Sequence, residues 1–117
     1  MSMKESEVLE GCIKYLRARG IFCFRNNVGA TKVGTRFIRF GYPGSSDILG
    51  IMPDGRFLAV ECKREKGGRL SELQKAFLTA IQINGGVSIV ARSVEELKKE
   101  LENAKKITLQ ITNKVIQ

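Results

Sequence analysis

The chain has 117 residues, 43% of them apolar, and a formal net charge of +8. That length gives one domain with a genuine core, and no apolar run approaches the roughly 20 residues of a membrane span. The lack of histidine excludes His-dependent nucleophilic and zinc chemistry, while the basic balance favours a polyanionic partner, most often nucleic acid.

The start, MSMKESEVLE, is charged and has no signal-peptide segment, so the expected location is the cytoplasm. Residues 4–19 then carry Val8, Leu9, Cys12, Ile13 and Leu16 on one helical stripe. Ser2 with Glu5 has the form of a capping box. At about 100° per residue, Glu5 falls near the centre of the stripe, and Glu7 and Glu10 fall off it. A carboxylate aimed at the core side needs a partner or a metal; the alternative is a first-turn acid that merely favours the positive helix end.

Gly20 stops this helix. Ile21-Phe22-Cys23-Phe24 reads as a buried strand ending at Arg25-Asn26-Asn27, residues 28–34 as a loop, and residues 35–40 as a short alternating strand with a basic exposed face. A Gly/Pro turn, Gly41-Tyr42-Pro43-Gly44-Ser45, leads into Ser46-Asp47. Arg25, Lys32, Arg36 and Arg39 are thereby expected around one sheet end as a rim that contacts phosphates; a solvated loop is the competing reading.

Two apolar runs, residues 48–52 and 57–60, flank Pro53-Asp54-Gly55-Arg56, and Asp-Gly between such runs signals a hairpin. Antiparallel pairing brings its outer ends, Asp47 and Glu61, together. Strand alternation puts Glu61 and Lys63 on one face and Cys62 on the other. Two carboxylates on rigid strand ends with a lysine alongside suit a hard divalent cation and an attacking water. The Cys62 backbone carbonyl is a candidate third ligand. The competing reading is ordinary strand-end charge, since Glu-x-Lys alone is common.

Beyond Lys63, residues 64–69 read as a polar, flexible loop with Arg64 and Arg69. Ser71 caps a helix over 72–84 with Leu73, Phe77, Leu78 and Ile81 at helical spacing. Gln74 and Lys75 in its first turn are expected to face back toward Glu61 and Lys63, Gln74 placing water or phosphate without adding charge. Residues 87–91 form a buried strand, and Ser93 caps a helix over 94–104. Residues 105–117, KKITLQITNKVIQ, alternate and read as an edge strand, a dimer-forming strand or a tail. The expected organisation is a domain over 1–104 followed by that segment. The element order gives an α/β fold, a mixed central β-sheet flanked by helices, with a parallel crossover between residues 57 and 90. The three cysteines are expected to be reduced packing thiols.

Gly44-Ser45-Ser46-Asp47 followed by Glu61-Cys62-Lys63 resembles the D…(D/E)-x-K signature of the restriction-endonuclease-like nuclease superfamily. The blocks KESEVLEGCIKYLRARG, FRNNVG, FGYPGSSDILGI, GRFLAVECKREKGGRLSELQKAFL and GGVSIVARSVEEL together resemble the VRR-NUC (virus-type replication-repair nuclease) domain over residues 4–101. Ser46-Asp47 stands where the superfamily has proline-aspartate, and GSSD suits the narrower family. The resemblance implies a restriction-endonuclease-like core and a Mg2+- or Mn2+-dependent DNA endonuclease. Small stand-alone members, from bacteria and phages, resemble Holliday junction resolvases and tend to be homodimers. It implies Asp47 and Glu61 as metal acids, Lys63 and Gln74 as their companions, and Glu5 as the first-helix acid with Glu7 as fallback. Ser45, Ser46, Asn26, Asn27, Arg64 and Arg69 would join the DNA contacts. The competing functions are a flap or linear-DNA nuclease of the same fold, an RNA-processing nuclease, and a non-catalytic DNA-binding module.

Overall fold

A computed structural model describes residues 2–105 with their side chains and continues as backbone through residue 116. The elements in chain order are α1 (Glu5–Ala18), β1 (Phe22–Arg25), β2 (Gly29–Val33), β3 (Arg36–Phe40), β4 (Ile48–Ile51), β5 (Phe57–Cys62), α2 (Glu72–Ile83), β6 (Val87–Ala91) and α3 (Val94–Ile116). No helix among the described residues is long and apolar enough to cross a membrane.

The main sheet has the order β1-β4-β5-β6. Its first two pairings are antiparallel and β5–β6 is parallel, so the sheet is mixed, as expected. The parallel pairing follows from the crossover through α2. Alternation along the strands sends Cys23, Ile48, Leu58, Val60, Cys62, Val87, Ile89 and Ala91 to one face, where they form a single core with Val8, Cys12, Leu16 and Leu97 of α1 and α3. Helix α2 lies across β5 and β6 on the other face. Central strand β5 is therefore covered on both sides, and only Phe57 at its start is exposed. Register pairs Ile48 with Val60, so the next residues outward, Asp47 and Glu61, end the hairpin side by side.

Several sequence expectations change. Strand β1 is an edge strand rather than a buried one. Only Cys23 is buried, and Phe22 and Phe24 are exposed, because α2 covers β5 and β6 and stops short of β1. Residues 29–33, read as loop, are a strand paired with β3 in a separate two-stranded ribbon. The ribbon turns at Gly34-Thr35, where Gly34 takes φ +63°, the left-handed conformation a two-residue hairpin turn needs at its first position. Helix α1 has Lys4 as its N-cap, whose backbone N–H donates to the Glu7 carboxylate at 3.3 Å, in place of the expected Ser2–Glu5 box. Residues 105–116 continue α3 as helix rather than forming a strand. No glycine or proline follows Gly86 to stop it, and Ile107, Ile111 and Val115 also satisfy a spacing of four. The dimer contact expected of this segment lies outside the described side chains.

The turn before β4 docks the site onto α2. Tyr42 packs its ring on Phe77, 6.1 Å between centroids. Gly44 has φ +83°, and a Cβ there would lie 2.5 Å from the Leu73 backbone. Both backbone strain and close approach require glycine at this position. Gly44→Ala is expected to cost about 3 kcal/mol, measured by urea denaturation; a change below about 0.5 kcal/mol would show that the turn does not pack as described.

Candidate active site

Strand pairing alone puts Asp47 beside Glu61, and α1 delivers a third acid. Glu5, Asp47 and Glu61 each present a carboxylate oxygen, and the three oxygens lie within 4.8 Å of one another. Glu5 is exposed, Asp47 half-buried and Glu61 buried, at 1% exposure. Of the two first-helix candidates, Glu5 reaches the cluster, while Glu7 caps its own helix. Asp47 is fixed by the Cys62 backbone N–H, which donates to its Oδ2 at 2.8 Å. Cys62 thus meets the acid through its amide.

Gln74 joins the acids to Lys63. Its Nε2 donates to Glu61 Oε1 at 3.0 Å, and its Oε1 accepts from Lys63 Nζ at 3.1 Å. The same Oε1 accepts from the Ser71 backbone N–H, and Ser71 Oγ accepts from the Gln74 N–H. A helix-start capping box is therefore also the clamp on the acid–lysine pair. A carboxamide carries the two functions this needs, an N–H donor for the carboxylate and a carbonyl acceptor for the ammonium. Lys75, expected to face the same way, instead pairs with Glu72 on the helix exterior at 3.3 Å.

The first turn of α1 is tied to the loop after β5. Met3 N–H donates to Glu65 Oε2 at 2.9 Å, and Glu65 N–H donates to the Met3 carbonyl at 3.2 Å. Arg92 holds that loop from below, donating to the carbonyls of Arg64, Gly67 and Gly68. The loop read as flexible is thus pinned at both ends, and Glu65 and Arg92 were missed because their partners are backbone atoms that leave no trace in residue spacing.

Asp47 and Glu61 open into a cleft of about 340 Å³ lined also by Arg25, Asn26, Asn27, Ser45 and Gln74. Asn26 also braces the turn, its amide donating to Ser45 Oγ at 2.7 Å and to the Ser46 carbonyl at 3.0 Å. Of the expected phosphate rim, only Arg25 lines this cleft; Lys32, Arg36 and Arg39 stand on the separate β2–β3 ribbon, and Arg64 and Arg69 lie on the exposed Glu65 loop. Ser46 is 0% exposed, so the expected DNA contact by its side chain is corrected: it is packed beneath the turn.

Glu61 decides what the cluster can hold. Its Oε2 is buried and has no hydrogen-bond partner among the described residues. Burial, then the neighbouring Asp47 charge, push its pKa up to about 8, with Lys63 pulling the other way. Without a cation, Glu61 is held toward its protonated form. With one, the orphaned oxygen gains the partner it lacks, and three convergent carboxylates are a donor set for a hard divalent ion. The cysteines are free and buried, as expected. The Cys62 thiol, held above its ordinary pKa by its hydrogen-bond contact with Cys12 and by burial, stays protonated and takes no part.

A mixed sheet carrying an Asp…Glu-x-Lys hairpin end, with a third acid from the first helix, defines the restriction-endonuclease-like class. Within that class the chain belongs to the VRR-NUC family: the VRR-NUC domain model matches residues 4–95, a nuclease family. No curated protein and no solved structure matches the chain.

Two outcomes follow from this geometry. A raised carboxyl pKa means the folded state binds more protons than the unfolded state between the ordinary glutamate value and about 8. Glu61 therefore contributes stability that is fully present at acidic pH and is lost as pH rises toward 8. The cation-free protein is expected to melt lower at pH 8 than at pH 6, with Glu61→Gln flattening that trend and Mn2+ raising Tm more at pH 8; a Tm that climbs between pH 6 and 8 would contradict the burial described. Separately, Glu65→Ala is expected to weaken Mn2+ binding about 10-fold, in the range set by outer-shell partners of metal ligands, with little change in Tm. Glu65→Gln, which keeps the acceptor for Met3 N–H, is expected to restore it in the same calorimetric titration.

Proposed function

We propose that the protein is a structure-selective DNA endonuclease that hydrolyses phosphodiester bonds with Mg2+ or Mn2+ held by Glu5, Asp47 and Glu61, the Cys62 carbonyl being a further donor. The observation that carries this reading is the buried, partnerless Glu61 oxygen facing two other carboxylates, with Lys63 within one hydrogen-bonded step. The cation would lower the pKa of a water and offset charge developing on the phosphate. Lys63, steadied by Gln74, donates its remaining protons to the phosphoryl oxygens as that charge grows. Gln74 holds the Glu61 carboxylate in place and keeps the ammonium from collapsing onto it. Arg25 and the Asn26–Asn27 segment receive the strand at the cleft mouth.

The preferred substrate is branched DNA, four-way junctions first. Symmetrical cuts across a junction need two sites related by a two-fold axis, so the active species is a homodimer working inside the cell that makes it, in DNA repair or recombination. The competing reading, a binding module that has lost its chemistry, is disfavoured by the complete set of acids, lysine and glutamine.

Wild-type protein is expected to cleave a four-way junction in preference to flap, linear and single-stranded DNA and to matched RNA, with Mg2+ or Mn2+ and not with Ca2+. Asp47→Ala and Lys63→Ala are each expected to lower the rate by at least about 100-fold. Light scattering should return twice the 13.0 kDa chain mass. Variants as active as wild type would remove the assignment.

A further inference from the structure

The β2–β3 ribbon contributes no residue to the active site. All its strand residues are exposed, although a two-stranded ribbon standing alone is marginal in water. Cross-strand partners share a face. Lys32 stands opposite Phe37, and Ala30 opposite Arg39, so one face presents Lys32, Phe37 and Arg39 together. Phe37, at 75% exposure, is the most exposed aromatic ring among the described residues.

The charge around it has one sign. Between Glu10 and Asp47 the chain has no acidic residue and seven basic ones. The ribbon also springs from the cleft. Asn27 and Val28, just before β2, line the cleft, and Gly41, just after β3, approaches so closely that a Cβ would lie 2.5 Å from the Asn27 carbonyl oxygen. At about 3.3 Å per residue, a five-residue strand carries the tip about 16 Å from the cleft rim, or about five base pairs of duplex at 3.4 Å each.

Cations alone would take any phosphate backbone. An exposed ring set between two cations adds something only where a base face is free, because base–aromatic stacking is strong and tolerant of sequence. Bases stacked inside a duplex offer no free face; the pairs at a branch point expose one whenever the arms unstack. We propose that the β2–β3 ribbon is a DNA-binding arm, in which Lys32 and Arg39 hold phosphates and Phe37 stacks on the base face exposed at a branch. The arm's position relative to the scissile bond rests on the nuclease reading of the cleft; its binding chemistry does not.

The test measures binding in the Asp47→Asn background, with Ca2+ present, to a labelled four-way junction and to a blunt duplex of the same sequence. Phe37→Ala is expected to weaken junction binding about 10-fold and to change duplex binding by less than about 2-fold. Lys32→Ala with Arg39→Ala is expected to weaken both and to lower the slope of log K against log salt by about 2. The substituted side chains are exposed, so Tm should match the parent. Phe37→Ala that binds the junction as tightly as the parent, or weakens junction and duplex equally, overturns the proposal. So does Phe37→Ala that turns a dimer into a monomer in light scattering, which would give the ribbon to a second copy of the chain. Cleavage by wild type reads the cleft separately. A junction that is cut but bound without regard to Phe37 removes the arm alone; Phe37-dependent binding with no cutting removes only the nuclease reading.

Discussion

A carboxylate with almost no exposed surface, set against two others, is a costly thing to build, and the architecture around Glu61 is arranged to make it tolerable. The hairpin brings Asp47 to it, α2 lays an amide over it, and α1 points Glu5 at the same spot. Two of those neighbours repel it and one supports it, so without a cation the group holds its proton well above the usual carboxylate range. The fold thus stores an electrostatic imbalance that a divalent ion removes. Such an imbalance is how a carboxylate cluster acquires affinity for metal at the expense of its own stability.

The supports of this cluster are short-range and mostly backbone-mediated. Asp47 is held by the amide of Cys62, one residue from Glu61. Glu5 is steadied through Met3 and Glu65, and the loop bearing Glu65 through Arg92. Each support comes from a neighbouring element rather than from the acids themselves, so every secondary structure element that meets this end of the sheet contributes to the geometry.

Much of this was legible in the residues. The Asp-Gly turn fixes the register of β4 against β5, so the adjacency of Asp47 and Glu61 could be read from the hairpin alone. Ser71 with Gln74 has capping-box spacing, which set the start of α2 and so the direction of Gln74. The choice between Glu5 and Glu7 stayed open because it turns on where α1 begins, and the two residues between them swing a side chain about 200° around the helix. Residues 29–33 escaped because Gly-Thr is a weak turn signal and the strand buries nothing that would impose alternation. The exposure of Phe22 and Phe24 depends on how far α2 reaches across the sheet, which no local pattern encodes. In residues 105–116, alternation and a spacing of four coexist, and continuity with the preceding helix decides between them.

The double duty of Gln74 has a further consequence. Its amide closes the first turn of α2 and steadies Lys63 with the same oxygen, so fraying of that turn and loss of lysine alignment are one motion. Helix ends open far more readily than sheet centres. Whatever presses on Ser71 therefore reaches Lys63 and Glu61 through the beginning of a helix.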